Sequence, residues 1–211
     1  MATLPEPLPL RYSTPEEWVE AAMQDPLALL DDHAHLERKA ASNALELLSR
    51  WPDPDPPEGW EAVMTGVARD EAEHLAIVTR LLTRRGGRLS KHHKNPDAAA
   101  LRALVRKGRG TEELVDRLMI SALIEARSCE RFELLGRLCP DPRLAKLYRA
   151  LWASEAGHYR VFLRMARRLL SRRRVEARWS ELLDEEARII AAQPPGPRMH
   201  SGAPPVGSPR S

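Results

Sequence analysis

The sequence predicts an all-α protein built on a four-helix bundle, and three observations predict it. Apolar residues recur at helical spacing over long stretches, as in Leu29, Leu30, Ala34, Ala41, Ala44, Leu45 and Leu48. Strand-like runs of Val, Ile and Thr are missing, while charged residues make up 30% of the chain and glycine only 11 positions. Glu-x-x-His occurs twice, as Glu71-x-x-His74 and Glu155-x-x-His158, each in the middle of a long helical pattern. A length of 211 residues suits a single domain, expected over residues 1–192.

The elements follow in order. Residues 1–12 are Pro-rich and read as extended. Ser13-Thr14-Pro15-Glu16-Glu17 reads as a helix start, with Ser or Thr as cap and Pro in the first turn. The first long helix is expected over about 26–50. Trp51 to Gly59 holds too many prolines to continue it. The second long helix is expected over about 60–84, stopped by Gly86-Gly87. Residues 89–110 form a long connection with a short helix over about 96–107. The third long helix is expected from Thr111 to about Leu138 and the fourth from Pro142 to about Leu170, joined by the tight Cys139-Pro140-Asp141-Pro142 connector. A last amphipathic helix over about 175–192 carries Trp179, Leu182, Leu183, Ile189 and Ile190 to cover the bundle. Residues 193–211, rich in Pro, Gly and Ser, are expected to be disordered.

Glu and His three apart on a helix point from one face, and a carboxylate beside an imidazole makes two ligands for a transition metal. A single Glu-x-x-His is weak evidence; the order of the chain strengthens it. The first and third long helices each place a carboxylate close to the apolar stripe, Glu37 and Glu125. The chain therefore reads Glu, Glu-x-x-His, Glu, Glu-x-x-His, with Glu37 to Glu71 and Glu125 to Glu155 each about one helical hairpin apart. That is the ligand pattern of a ferritin-like four-helix bundle holding two metal ions, here with additional N-terminal, crossover and C-terminal helices. The expected metal ligands are Glu37, Glu71, His74, Glu125, Glu155 and His158. Glu130 and Glu133 are rivals of Glu125, which is preferred because it lies nearer the helix centre. Asp70 and Glu73 are placed to orient a ligand histidine through its second nitrogen. His33 and His35 read as residues behind the ligands or on the surface. Oxygen and nitrogen ligands suit iron or manganese. The same set serves oxygenases, ferroxidases, catalases and peroxidases, so ligands alone do not fix the reaction.

The net charge of +3 hides an uneven distribution. Arg80, Arg84, Arg85, Arg88, Lys91 and Lys94 follow one another without an acid, then come Arg102, Arg106, Lys107 and Arg109. Residues 160–174 hold seven arginines, Arg172 and Arg173 among them, again without an acid. Such stretches suit a polyanion partner such as nucleic acid, or are ordinary solvated helix ends. His92 and His93 read as phosphate contacts or exposed residues. No apolar run reaches the ~20 residues needed to span a bilayer. The N-terminus lacks the regions of a signal peptide, and Cys129 and Cys139 read as free thiols, so a cytoplasmic protein without a membrane role is expected.

Four segments stand out: Asp32-His33-Ala34-His35-Leu36-Glu37-Arg38-Lys39-Ala40-Ala41, Asp70-Glu71-Ala72-Glu73-His74, Ile124-Glu125-Ala126-Arg127-Ser128-Cys129-Glu130-Arg131-Phe132 and Ser154-Glu155-Ala156-Gly157-His158-Tyr159. Together they resemble the MiaE family of tRNA hydroxylases. They appear in the family's order over roughly residues 25–170, and the third is the most specific. The resemblance implies a di-iron monooxygenase that uses O2 to hydroxylate the isopentenyl group of 2-methylthio-N6-isopentenyladenosine beside the anticodon. It implies two Fe ions on the six residues named above, a tRNA anticodon arm as partner and a separate electron-donor protein. Arg84, Arg85, Arg88, Lys91, Lys94, Arg172 and Arg173 are then the expected tRNA contacts, whereas Arg127 and Arg131 are expected to pair with buried acids. The rival reading is a ferritin-like oxidase, peroxidase or metal-handling protein with no nucleic-acid substrate.

Overall fold

Asp25-Pro26, Asn95-Pro96 and Asp141-Pro142 start three helices in the same way. The side-chain oxygen of each Asx residue accepts backbone N–H groups of the first turn, and the proline occupies a position that needs no donor. The computed structural model describes residues 7–205, among which seven helices form. They are α1 (Glu17–Ala22), α2 (Pro26–Leu48), α3 (Trp60–Arg84), α4 (Pro96–Ala103), α5 (Thr111–Leu138), α6 (Pro142–Leu169) and α7 (Arg172–Ala191). No strand occurs among the described residues, and no helix there is long and apolar enough to cross a membrane.

The bundle consists of two hairpins, α2 with α3 and α5 with α6, joined by the crossover that holds α4. α3 and α6 approach each other across the middle, while α2 and α5 stand further apart. The core falls into two apolar clusters. One gathers Leu47, Trp60, Met64, Leu118, Leu123, Phe162 and the inner face of α7. The other gathers Trp18, Leu29, Leu30, Val78, Leu82, Phe132, Leu144 and Tyr148. On the four bundle helices the six expected ligands, Glu37, Glu71, His74, Glu125, Glu155 and His158, lie between these clusters or at their border, so a buried polar layer divides the core at mid-height.

Two expectations change. Neither Ser13 nor Thr14 caps α1, which starts at Glu17 without a side-chain cap. Thr14 instead donates to Glu130 through its backbone N–H, 3.0 Å, and its hydroxyl, 2.5 Å, tying the N-terminal segment to α5. The expected disorder from residue 193 does not hold up to residue 205; residues 206–211 lie outside the described part. Met199 and Ser201 are fully buried. Met199 N donates to Asp32 Oδ2 at 2.8 Å, and Trp18 Nε1 donates to Ser201 Oγ at 3.0 Å. Proline and glycine keep this segment from being helical, but side chains of α1, α2 and α5 satisfy its polar groups and cover its one large apolar side chain. At Gly202 a Cβ would stand 1.8 Å from the Gln193 carbonyl oxygen, so only glycine permits the approach.

Candidate metal centre

Each bundle helix contributes to the polar layer. α2 places Glu37, α3 places Glu71 and His74, α5 places Glu125, and α6 places Glu155 and His158, all buried. The i, i+3 spacing turns each Glu-x-x-His inward, and the antiparallel run of α3 and α6 crosses the pairs. His74 Nδ1 lies 3.0 Å from Glu155 Oε1, and His158 Nδ1 lies 2.7 Å from Glu71 Oε1. His74 Nδ1 is also 3.6 Å from Glu37 Oε2. Despite these distances, both oxygens of Glu71, both of Glu155 and both Nδ1 atoms make no hydrogen bond of acceptable geometry. One donor atom each from Glu37, Glu71, His74 and Glu155 falls within 4.8 Å of the others. Buried polar atoms that converge without bonding one another are expensive unless something shared binds them, so the donor set fits a metal pair.

The electrostatics agree. Burial raises the Glu37 and Glu125 carboxyls, and the charge of neighbouring carboxylates adds to both. Burial, then the Glu155 charge, raises Glu71 to about 8. At His74 burial disfavours the imidazolium, but Glu155, Glu37 and Glu71 outweigh it and raise the ring to about 12. At His158 burial is likewise outweighed, by Glu155 and Glu71, and the ring rises to about 10. Glu155 moves down, because the two histidines overcome its burial. Imidazolium rings here balance charge that metal cations would balance in their place.

The surroundings of the rival residues differ. Glu130 is occupied by Thr14 and Arg127, and Glu133 is exposed, whereas Glu125 stands beside Glu155. Asp70 Oδ2 lies 3.4 Å from His158 Nε2, on the far side of the ring from the cluster, as a group orienting a ligand would. Glu73 is exposed and does not share that role. Neither His33 nor His35 is a surface residue. His33 Nε2 lies 2.5 Å from Glu37 Oε1, and its ring stacks on Tyr148; its i, i+4 spacing from Glu37 was the available signal. His35 stacks on His93, which is half-buried and bonded to Asp32 rather than to solvent, while His92 is exposed. Arg127 pairs with the buried Glu186, as expected; Arg131 instead donates to the Ser201 carbonyl and lies 4.1 Å over the Trp18 ring.

The basic stretches do not form one face. Arg84, Arg85, Arg88, Lys91 and Lys94 lie at or beyond the C-terminal end of α3, where Arg85 is paired with Asp141 at 2.6 Å. Arg172 and Arg173 open α7, near the start of α3, since Arg168 donates to the Glu58 carbonyl. The 25 residues of α3 separate the two groups by roughly 37 Å. Between α2 and α5 lies a cavity of about 390 Å³ that touches Glu37, Glu71, Glu125 and Glu155. Leu36, Ile120, Ile124 and Phe132 line it, and Arg38, Lys39, Arg102 and Lys107 stand at its exposed side. Sequence reading missed this cavity because its wall comes from five helices that are distant in the chain.

Comparison with known proteins bears on this site. The model of the family described as tRNA-(MS[2]IO[6]A)-hydroxylase (MiaE) matches residues 3–201. A tRNA 2-(methylsulfanyl)-N(6)-isopentenyladenosine(37) hydroxylase of Pseudomonas putida is 39% identical over 194 residues, covering 90% of this chain and 91% of that one. The protein of the same name from Salmonella typhimurium is 28% identical over 248 residues, covering 94% and 89%. Among solved structures, a Synechococcus protein described as having aldehyde deformylating oxygenase activity superposes with a TM-score of 0.84 at 34% identity, covering 94% of this chain and 98% of that one. With the paired Glu-x-x-His motifs at the centre of the bundle and the family's model matching nearly its whole length, the chain belongs to the MiaE family of tRNA hydroxylases.

Proposed function

We propose that the protein is a di-iron, O2-dependent monooxygenase that hydroxylates the isopentenyl group of 2-methylthio-N6-isopentenyladenosine next to the anticodon of tRNA, acting in the cytoplasm. The observation that carries this reading is the family match over residues 3–201, joined to a buried donor set that opens into a cavity. Glu37, Glu71, His74, Glu125, Glu155 and His158 would hold two iron ions. Bound there, the pair would supply the two-electron chemistry that places one atom of O2 in a C–H bond, with a separate protein as electron donor.

The chain's own residues prepare that site. Asp70 fixes the ring of His158, and His33 holds Glu37 from the side away from His74. The two apolar clusters above and below the polar layer keep water from reaching it through the core. Leu36, Ile120 and Ile124 offer the prenyl chain an apolar wall beside the carboxylates. An oxidase or metal-handling protein without a nucleic-acid substrate would need no such cavity with cations at its mouth.

The test is mass spectrometry of nucleosides from tRNA carrying the isopentenyl modification, after incubation with iron-loaded protein, a reductant and O2. A gain of one oxygen atom on the modified adenosine is expected. No gain, with two irons per chain confirmed, would move the function to another oxidation.

A further inference from the structure

The cavity between α2, α4 and α5 grades from buried to exposed. Glu37, Glu71, Glu125 and Glu155 line its buried side, Ile120 and Phe132 are buried along it, and Leu36 and Ile124 are half-buried. Arg38, Arg102 and Lys107 are exposed at its outer edge, with Lys39 half-buried among them. Several arginines of the described residues are tied to acids: Arg85 to Asp141, Arg106 and Arg178 to Asp116, Arg174 to Glu112. Arg117, also at the cavity, is held by Glu113 and Glu46. Arg38, Lys39, Arg102 and Lys107 have no carboxylate within ion-pair distance among the described residues. Lys39 lies close enough to Arg102 and Arg38 to feel the charge of both. Like charges held together without counter-charges repel one another, and a polyanion relieves that cost.

We infer, on the reading that the substrate is tRNA, that this mouth is the docking face of the anticodon arm. Arg38, Lys39, Arg102 and Lys107 hold the phosphates that flank one nucleotide turned out of the loop, and its apolar side chain passes Leu36, Ile120 and Ile124 to reach the carboxylates. Phosphate contacts position the loop and carry no sequence information, while the cavity selects the nucleotide that fits it. A volume of about 390 Å³ falls within the roughly 300–1,000 Å³ of small-molecule pockets, room for one nucleotide base with its side chain. None of the cations clustered at the two ends of α3 lines this cavity, so a loop bound only there would not place its modified base at the cavity mouth. An acidic electron-donor protein would also suit positive charge, but it needs no open path to the ligands.

The experiment uses the iron-loaded full chain and tRNA bearing the isopentenyl-modified adenosine. Two triple variants are compared with the parent: Arg38→Ala with Arg102→Ala and Lys107→Ala, and Arg84→Ala with Arg88→Ala and Lys91→Ala. tRNA affinity is measured across a salt series. The mouth variant is expected to lose roughly tenfold or more in affinity at moderate salt, with a log–log salt slope shallower by about two to three. The second variant is expected to stay within about twofold of the parent. All six side chains are exposed, and a melting curve checks each fold. Lys107→Glu alone, in the loop after α4, serves as a further variant and is expected to weaken binding in the same direction.

If the mouth variant binds and hydroxylates tRNA as the parent does, the docking inference is overturned and the hydroxylase reading stands. The docking inference is overturned in the same way if only reduction of the mouth variant by a donor protein slows, which would assign the mouth to the donor. If the parent itself neither binds nor hydroxylates the tRNA, both readings fall together.

Discussion

His158 Nδ1 on α6 stands 2.7 Å from Glu71 Oε1 on α3, so the histidine of one Glu-x-x-His pair faces the carboxylate of the other. His74 and Glu155 complete the crossing at 3.0 Å. Neither pair is a separate site; the four side chains form one cluster that spans two hairpins. Glu71→Ala and His158→Ala are each expected to lower bound iron below two per chain and to abolish tRNA hydroxylation. Asp70→Ala, which leaves all six donors in place, is expected to weaken metal binding 10- to 100-fold. Metal analysis after dialysis against a graded chelator distinguishes these outcomes, and full retention of iron by His158→Ala would contradict the ligand assignment.

Arg127 is buried on α5 and meets Glu186 of α7 in a two-point contact, Nε to Oε1 at 2.7 Å and Nη2 to Oε2 at 2.8 Å. It also donates to the Tyr12 carbonyl at 3.0 Å. Arg127→Ala leaves the buried Glu186 carboxylate without its partner and should cost about 3–5 kcal/mol of stability. tRNA affinity of the folded fraction should not change. Urea unfolding and a binding isotherm on the same sample separate this structural role from an RNA contact.

Met199 has no exposed surface and packs with Trp18, Leu30 and Phe132. Met199→Ala should cost about 2–4 kcal/mol through lost burial and the cavity left behind. A chain ended after residue 193 should lose at least as much, because Asp32, Trp18 and Arg131 all lose partners. A melting temperature unchanged by the truncation would show that this segment does not stabilise the bundle.

Asp141 caps α6 and accepts from Arg85, whose guanidinium lowers the carboxyl from 3.8 to about 2. A folded-state value below the unfolded one means that the charged carboxylate stabilises the fold above about pH 4. That contribution is lost as the pH falls from about 4 to 2. Asp141→Asn keeps the cap and removes the charge, so the stability gap between parent and variant should be present at pH 6 and close by pH 2. Asp141→Ala removes the cap as well and should cost about a further 1 kcal/mol at every pH. Denaturation midpoints between pH 2 and 6 check both outcomes.

The amino-acid sequence by itself determined the helices and the donor types. Periodicity, Asx-Pro starts and glycine stops act over a few neighbouring residues, and the bounds of α3 and α5 were expected to the residue. The repeated Glu-x-x-His is equally local, since i, i+3 side chains share a face in any helix. Tertiary structure decided what depends on partners far away in the chain. Glu125 and Glu130 are both carboxylates on one helix, and Thr14 and Arg127 draw the second away from the centre. His33 became a partner of Glu37 because packing under Phe132 and Tyr148 buried its ring. The ordering of residues 193–205 rests on side chains of Trp18, Asp32 and Arg131, which composition does not reveal. The cavity exists because α2 and α5 stand apart while α3 and α6 close together, a spacing set by how two hairpins pack.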